Sequence, residues 1–163
     1  MYERYHHDVV GVNSRLDSIQ AAVLDAKLPH LDNYNKSRQA AARKYNKAFE
    51  SIPSIITPKA SKNCSGICET CDCHVFHQYT LKLKNVDRDG LVSFLQANDI
   101  PCGVYYPIPL HNQKAYQDSR YHEADFPVTN QLVKEVISLP MHTELDDDQI
   151  DYITSKVIEF ING

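Results

Sequence analysis

The first fifty residues carry two helical repeats of apolar side chains that meet at a proline, Pro29. In the first repeat, apolar residues at 16, 19, 23 and 24 predict a helix over residues 14–27, with Asn13 or Ser14 as its N-cap. Asp17 stands three residues after Ser14, which is the spacing of a capping box. The second repeat predicts a helix over residues 30–50. A proline between two helices favours a bent or hairpin pair, so we expect the chain to begin with paired helices.

The rest of the chain alternates short apolar runs with further helical repeats. We predict a strand at 75–83, a helix at 87–98, a strand at 100–106, a helix capped by Thr129 or Asn130, an extended piece at 137–141 and a last helix capped by Asp146. The resulting order is α-α-β-α-β-α-β-α. This order indicates class α/β, or an α+β-like small domain, in which a small sheet packs against helices.

Composition excludes several classes of function. The formal net charge of −4 argues against a nucleic-acid-binding protein, which usually carries a basic excess. No apolar run is long enough to span a bilayer, and the N-terminus is too polar for a signal peptide. We therefore expect a cytoplasmic protein without a membrane or nucleic-acid partner. In a reducing compartment its five cysteines are thiols or metal ligands rather than disulfides.

Four of these cysteines lie in one polar segment, residues 59–74, which is predicted to be a loop. Cys64, Cys68, Cys71 and Cys73 are close enough in sequence to surround a zinc ion. Structural zinc sites usually use two separated pairs, so a loop that merely carries thiols is the alternative. If zinc binds, four thiolates leave no open position, and the metal would clip the loop rather than catalyse a reaction.

A second candidate site is the aromatic and proline-rich segment at 105–111, which contains Tyr105, Tyr106 and His111. Its two prolines stiffen the backbone, so the phenols and the imidazole are held at little entropic cost. Such an edge suits a polar ligand such as a sugar. The alternative is a connector whose tyrosines pack in the core.

Asn13 and Arg15 form a third candidate site, because an amide and a guanidinium precede the predicted first helix. A helix N-terminus with such donors suits an anion such as phosphate, although a plain capped helix explains the same residues. His77, in the first predicted strand, is more consistent with a buried, hydrogen-bonded core histidine. The sequence has neither a nucleophile elbow nor a glycine-rich phosphate loop.

Taken in order, these segments resemble a known family. Residues 11–22, GVNSRLDSIQAA, match the G-x-N-x-R-x-x-x-x-Q-A-A signature of the DegT/StrS-type sugar aminotransferases. The likeness continues through residues 27–31, 38–45, 74–79, 106–111 and 138–142. Each piece alone is a weak signal, but the ordered set covers essentially the whole chain and is specific.

The resemblance implies the C-terminal, small domain of a pyridoxal-phosphate (PLP) enzyme with the aspartate aminotransferase fold, spanning residues 1–163. In this family, the N-terminal domain carries the lysine that binds the cofactor and the acidic residue that pairs with its pyridine nitrogen. Both would precede residue 1, so no catalytic lysine is nominated and this fragment is expected to be inactive. The implied reaction transfers an amino group from glutamate to a keto-sugar nucleotide in polysaccharide or lipopolysaccharide synthesis.

The resemblance also implies roles for individual residues in a homodimer. Asn13 matches an asparagine that reaches the cofactor phosphate of the neighbouring subunit, and Arg15 matches an arginine on the substrate side. Tyr105, Tyr106 and His111 match the loop that lines the sugar pocket. The Cys-rich loop at 59–74 departs from the family pattern as an insertion. A zinc-stabilised binding module and a non-enzymatic regulator on the same fold are the alternative functions.

Overall fold

The computed structural model describes residues 4–14, 16–59 and 74–163. Within these ranges the α-helices are α1 (Ser18–Lys27), α2 (Leu31–Phe49), α3 (Arg88–Ala97), α4 (Pro127–Glu135) and α5 (Asp147–Asn162). The strands are β1 (Ile55–Ile56), β2 (Tyr79–Leu83) and β3 (Val136–Leu139). Short 3₁₀ turns occupy Leu28–His30, Leu110–Asn112, Lys114–Tyr116 and Glu123–Asp125. Across the described ranges, none of the helices combines the length and apolar content that crossing a bilayer requires.

The three strands form one antiparallel sheet in the order β1-β2-β3. In the register, Ile55 pairs with Leu83, and Tyr79 pairs with Leu139. The mixture of helices with a small sheet confirms the predicted fold class. β2 begins four residues later than predicted, and β1 was not predicted, because two residues show no periodicity of their own.

The predicted strand at 100–106 is wrong. Only Gly103 pairs there, through two backbone hydrogen bonds of 3.1 and 2.7 Å with Ser138. Pro101 has no N–H to donate to a ladder, which limits how far pairing can extend along this segment. The result is a single bridge that places the following tyrosines beside the end of β3.

Helices α2, α3 and α5 supply the core that covers one face of the sheet. Strand side chains at 79, 81 and 83 point to this face and are fully buried, as are those of Tyr45, Phe49 and Leu91. Lys82 alternates to the opposite face, where its Nζ lies 3.1 Å from Glu135 Oε2 on α4. α4 therefore lies over the second face, and none of its residues is buried.

Two helices, α1 and α4, start at other residues than predicted, because residues that were not predicted as their starts occupy the N-cap or the first turn. Asp17 caps α1: its Oδ1 accepts from Gln20 N at 2.8 Å, while Gln20 Oε1 accepts from Asp17 N at 3.3 Å. This reciprocal capping box satisfies two donors, so neither Asn13 nor Ser14 is the cap. α4 begins at Pro127, whose fixed φ suits the first turn of a helix, rather than after Thr129 or Asn130.

α1 packs differently from α2, α3 and α5, each of which has buried residues. None of its residues is buried, and Ile19, Val23 and Leu24 are at least half exposed at 78%, 50% and 56%. Its apolar stripe is real, but it faces away from the core of the described chain. A groove of about 730 Å³ lies between this stripe and residues that include Tyr34 and Arg38 of α2.

Candidate functional site

The aromatic segment follows the Gly103–Ser138 bridge and presents its rings at the surface. The rings of Tyr105 and Tyr106 lie 6.0 Å apart, centroid to centroid, in a near-perpendicular arrangement. Tyr5, from the N-terminal segment, completes an aromatic trio at 6.4 Å from Tyr105 and 5.8 Å from Tyr106. The structure thus brings the two predicted site tyrosines together and adds a third that the sequence did not indicate.

Gln113 holds the N-terminal segment in place, and sequence reasoning missed it. Its Nε2 donates to the carbonyl of Tyr5 at 2.7 Å, and its Oε1 accepts from the N–H of His7 at 3.0 Å. The N–H of Ala115 donates to the carbonyl of His7 at 3.0 Å. The one available signal was the position of Gln113, two residues after His111 in the segment already singled out.

His111 lies in a neighbouring hollow rather than in the aromatic trio. Its ring stacks on Phe126 with a centroid distance of 4.4 Å and an interplanar angle of 15°. The hollow, of about 430 Å³, is walled by aromatic residues that include Tyr116 and Tyr121. His111 Nε2 is buried and has no hydrogen-bond partner among the described residues.

A second hollow, of about 340 Å³, connects the trio to the His111 region. Tyr5 and Tyr106 line it, and it shares Leu110 and Thr129 with the His111 hollow. Together these walls offer flat aromatic faces for a sugar or base ring and one unused imidazole nitrogen for a hydrogen bond. The two-proline segment therefore places Tyr106 and His111 on two adjoining hollows, while Tyr105 contacts Tyr106 and lines the groove at the sheet edge.

Asn13 lies outside any helix or strand, four residues before the Asp17 cap. Its side chain is exposed and makes no hydrogen bond within the described chain. Because α1 begins only at Ser18, Asn13 does not lie on the N-terminus of the helix, and anion binding by Asn13 and Arg15 stays a prediction. Arg15 lies outside the described residues.

A groove of about 380 Å³ at the sheet edge contains His77, Cys102, Tyr105 and His142. His77 is exposed on this groove, so its interpretation as a buried core histidine is wrong. Burial raises the pKa of the Cys102 thiol, which keeps it protonated and weakly nucleophilic at neutral pH. This groove therefore lacks an activated nucleophile.

Cys64, Cys68, Cys71 and Cys73 also lie outside the described residues, so zinc binding stays a prediction. Among the residues that are described, no group of three or more His, Cys, Asp or Glu side chains is arranged to hold a metal ion.

The residues around the two hollows and Asn13 can be compared with what binding of PLP requires. The two hollows around Tyr106 and His111 have no lysine among their described lining residues, so this wall offers no amine for covalent attachment. The exposed Asn13 amide is free to donate to a phosphate oxygen of a group outside the chain. The described residues therefore fit a part of a PLP site that contacts the cofactor without anchoring it covalently.

The chain is similar along nearly its whole length to part of several longer curated proteins. The chain is 39% identical over 159 residues, 96% of its length, to the pleiotropic regulatory protein of Geobacillus stearothermophilus. It is 37% identical over 162 residues, 99% of its length, to UDP-N-acetyl-3-dehydro-α-D-glucosamine 3-aminotransferase of Acidithiobacillus ferrooxidans. It spans about 40% of the length of each of these curated relatives.

Solved structures also match this chain along most or all of its length while being longer than it. A crystal structure of DesV from S. venezuelae, in complex with a ketimine intermediate, matches with 31% identity and a TM-score of 0.79. The match covers 100% of this chain and 41% of the DesV chain. NtdA from Bacillus subtilis, solved with bound cofactor PMP, matches at 24% identity with a TM-score of 0.76, covering 94% of this chain and 34% of NtdA, and supports the fold. Residues 1–158 match the DegT/DnrJ/EryC1/StrS aminotransferase family, and the chain belongs to that family.

Proposed function

We propose that this chain is the C-terminal domain of a PLP-dependent aminotransferase that acts on a nucleotide sugar. The observation that carries the proposal is the family match across residues 1–158, at about 40% of the length of the matched relatives. Glutamate is the proposed amino donor and a keto-sugar nucleotide the acceptor. The complete enzyme is proposed to be a cytoplasmic homodimer.

Asn13 is proposed to donate its amide to the cofactor phosphate of the neighbouring subunit, with Arg15 on the substrate side of the same shared site. The exposure of Asn13 and its lack of a partner in the described chain support this role. When bound, PLP supplies the electron sink that amino transfer needs. The residues of this chain orient the phosphate and substrate, and the amine that anchors the cofactor is proposed to come from the part of the enzyme that the chain does not span.

Tyr105, Tyr106 and His111 are proposed to form one wall of the sugar pocket. Tyr106 and His111 line two adjoining hollows, and the Tyr105 ring contacts that of Tyr106. The unpartnered Nε2 of His111 is placed to exchange a hydrogen bond with a hydroxyl or phosphate oxygen. Aromatic rings at this wall would also exclude water from the bound sugar.

The proposal is tested with a chimera in which this chain replaces the matching 40% of the Acidithiobacillus ferrooxidans aminotransferase. We expect the chimera to retain PLP through gel filtration, by absorbance, and to form 2-oxoglutarate from glutamate when the relative's keto-sugar nucleotide is supplied. Asn13→Ala is expected to weaken PLP binding by about 10- to 100-fold, since a hydrogen bond to a charged group contributes roughly 1.5–3 kcal/mol. Asn33→Ala, at an exposed asparagine of α2, is the matched control.

Two results would contradict the proposal. One is a folded chimera that does not bind PLP, or whose Asn13→Ala variant retains it as well as Asn33→Ala does. The other is 2-oxoglutarate formation by the isolated chain with PLP and glutamate, which would show that the anchoring amine lies within these residues.

A non-enzymatic regulator on the same fold is the second candidate, because one relative is named a pleiotropic regulatory protein. A chimera that binds PLP without forming 2-oxoglutarate, beside an active parent enzyme, would favour this alternative.

A further inference from the structure

Gln113 is a buried polar residue whose two side-chain hydrogen bonds both reach the N-terminal segment of the chain. Its side chain is 6% exposed, and both ends of its amide pair with the backbone of residues 5–8, here termed the N-terminal strap. The Gln113 side chain thus donates to one backbone carbonyl and accepts from one backbone N–H, as the backbone of a neighbouring strand would. The partners are separated from it by 106 and 108 positions in sequence.

Further contacts flank this amide. The Ala115 N–H bond to His7 O holds the strap through its backbone, and Lys114 Nζ lies 3.1 Å from Asp8 Oδ1. The ion pair is exposed and contributes little. Three hydrogen bonds join this region to the backbone of the strap, and Gln113 makes two of them.

Tyr5 needs such support because its backbone has φ of 70°, a left-handed conformation that is costly for a residue with a side chain. Its carbonyl is the acceptor for Gln113 Nε2. Its ring meets Tyr106 at 75° and Tyr105 at 83°, edge to face in both cases. The conformation of Tyr5 thus links the buried amide directly to both tyrosines.

We propose that Gln113 is a positioning residue for the nucleotide-sugar pocket: it holds the strap so that the Tyr5 ring buttresses Tyr105 and Tyr106. The sugar-pocket part of this inference rests on the proposed function. The buttressing part rests only on contacts within this chain.

The buttressing is tested on the 163-residue chain by NMR, comparing the unmodified protein with Gln113→Ala and Gln117→Ala. Gln117 is an exposed glutamine four residues away, without a side-chain hydrogen bond in the described part, and serves as the matched control. Loss of two net hydrogen bonds predicts roughly tenfold faster amide exchange at His7 and Ala115 in Gln113→Ala. Cross-relaxation between the Tyr5 and Tyr106 rings should also disappear, and Gln117→Ala should change neither signal.

The amides of β2 serve as the internal reference for the fold, and Gln113→Glu is the second variant. At neutral pH that variant keeps an acceptor for His7 N–H but has no donor for Tyr5 O, so the ring contact should weaken while the β2 amides stay protected. Unchanged ring contacts in both variants would overturn the proposal. Exchange that rises equally in β2 would also overturn it, since Gln113 would then support the whole fold.

In the active chimera, Gln113→Ala is expected to raise KM for the nucleotide sugar about fivefold or more while leaving KM for glutamate unchanged. Equal changes in both KM values would contradict a role at the sugar wall. Because the NMR measurements use the isolated chain, an inactive chimera would count against the proposed function and leave the test of buttressing intact.

Discussion

Replacing Tyr79 by phenylalanine removes one buried hydroxyl without altering the shape of the core. Tyr79 is fully buried on β2, its ring stacks on Tyr45 at 4.7 Å, and its hydroxyl donates to Asn46 Oδ1 at 2.6 Å. The Nδ2 of Asn46 is buried without a partner in the described chain. Tyr79→Phe would therefore leave both ends of the Asn46 amide unpaired.

The expected cost follows from this arrangement. An intramolecular hydrogen bond contributes about 1 kcal/mol net, whereas a buried acceptor left without a donor costs about 1–3 kcal/mol. We expect Tyr79→Phe to lower the free energy of unfolding by about 2 kcal/mol. For a chain of this size that corresponds to a fall in Tm of roughly 4–8 °C.

The assay is equilibrium urea unfolding followed by far-ultraviolet circular dichroism, with Tyr152→Phe as the control. Tyr152 is 47% exposed, and its hydroxyl donates to Asn98 O at 3.2 Å, so water replaces that bond and the cost should stay below about 0.5 kcal/mol. Combining Asn46→Leu with Tyr79→Phe removes both partners and should be less costly than Tyr79→Phe alone. Equal losses for Tyr79→Phe and Tyr152→Phe would refute the reasoning.

Three further outcomes are expected. Burial raises the pKa of both Tyr45 and Tyr79 above the ordinary value of 10.0. As the pH rises, the unfolded chain therefore loses these protons before the folded chain does. The free energy of unfolding should be unaffected by these groups below about pH 10 and should fall above it, with a smaller fall in Tyr79→Phe. Urea midpoints measured across that pH range test this expectation. Arg88 Nη1 donates to the carbonyls of residues 133 and 136, at 3.0 and 3.1 Å, at the end of α4. Arg88→Ala should therefore lower the free energy of unfolding in urea by about 2 kcal/mol. Arg120→Ala, at an exposed ion pair, should lower it much less. Gly103→Ala would place a Cβ 2.8 Å from the Tyr105 ring, so loss of Tyr5–Tyr105 ring contacts in NMR spectra is expected with little change in stability.

The parts of the fold that local side chains determine could be predicted from the sequence. Asp87 and Asp146 cap α3 and α5 where expected, because each accepts from a backbone N–H three residues ahead. Strand β1 could not be predicted, because Ile55 and Ile56 are extended only by pairing with residues 82 and 83. The start of α1 was misplaced because three possible caps stand within five residues, and only Asp17 has the reciprocal partner.

The candidate site also contains residues that local sequence indicates and residues that only the fold reveals. Tyr105, Tyr106 and His111 were found because prolines next to aromatic residues form a visible local signal. Gln113 and Tyr5 were missed because their contact joins residues 108 positions apart in sequence, and neither residue belongs to a repeat or motif. Candidate binding residues can therefore be recognised from local sequence, whereas the residues that hold them in place depend on the fold.

The four-residue delay in the start of α1 has a consequence for distance. Four residues of helix advance about 6 Å, while four residues of non-helical chain can span up to about 14 Å. Because the capping box starts the helix after Asp17, Asn13 can lie roughly 8 Å farther from the helix than it could in a helix that began at residue 14. The proposed contact of Asn13 with a neighbouring subunit would use this extra length, so the cap that fixes the start of α1 also limits how far the amide can reach.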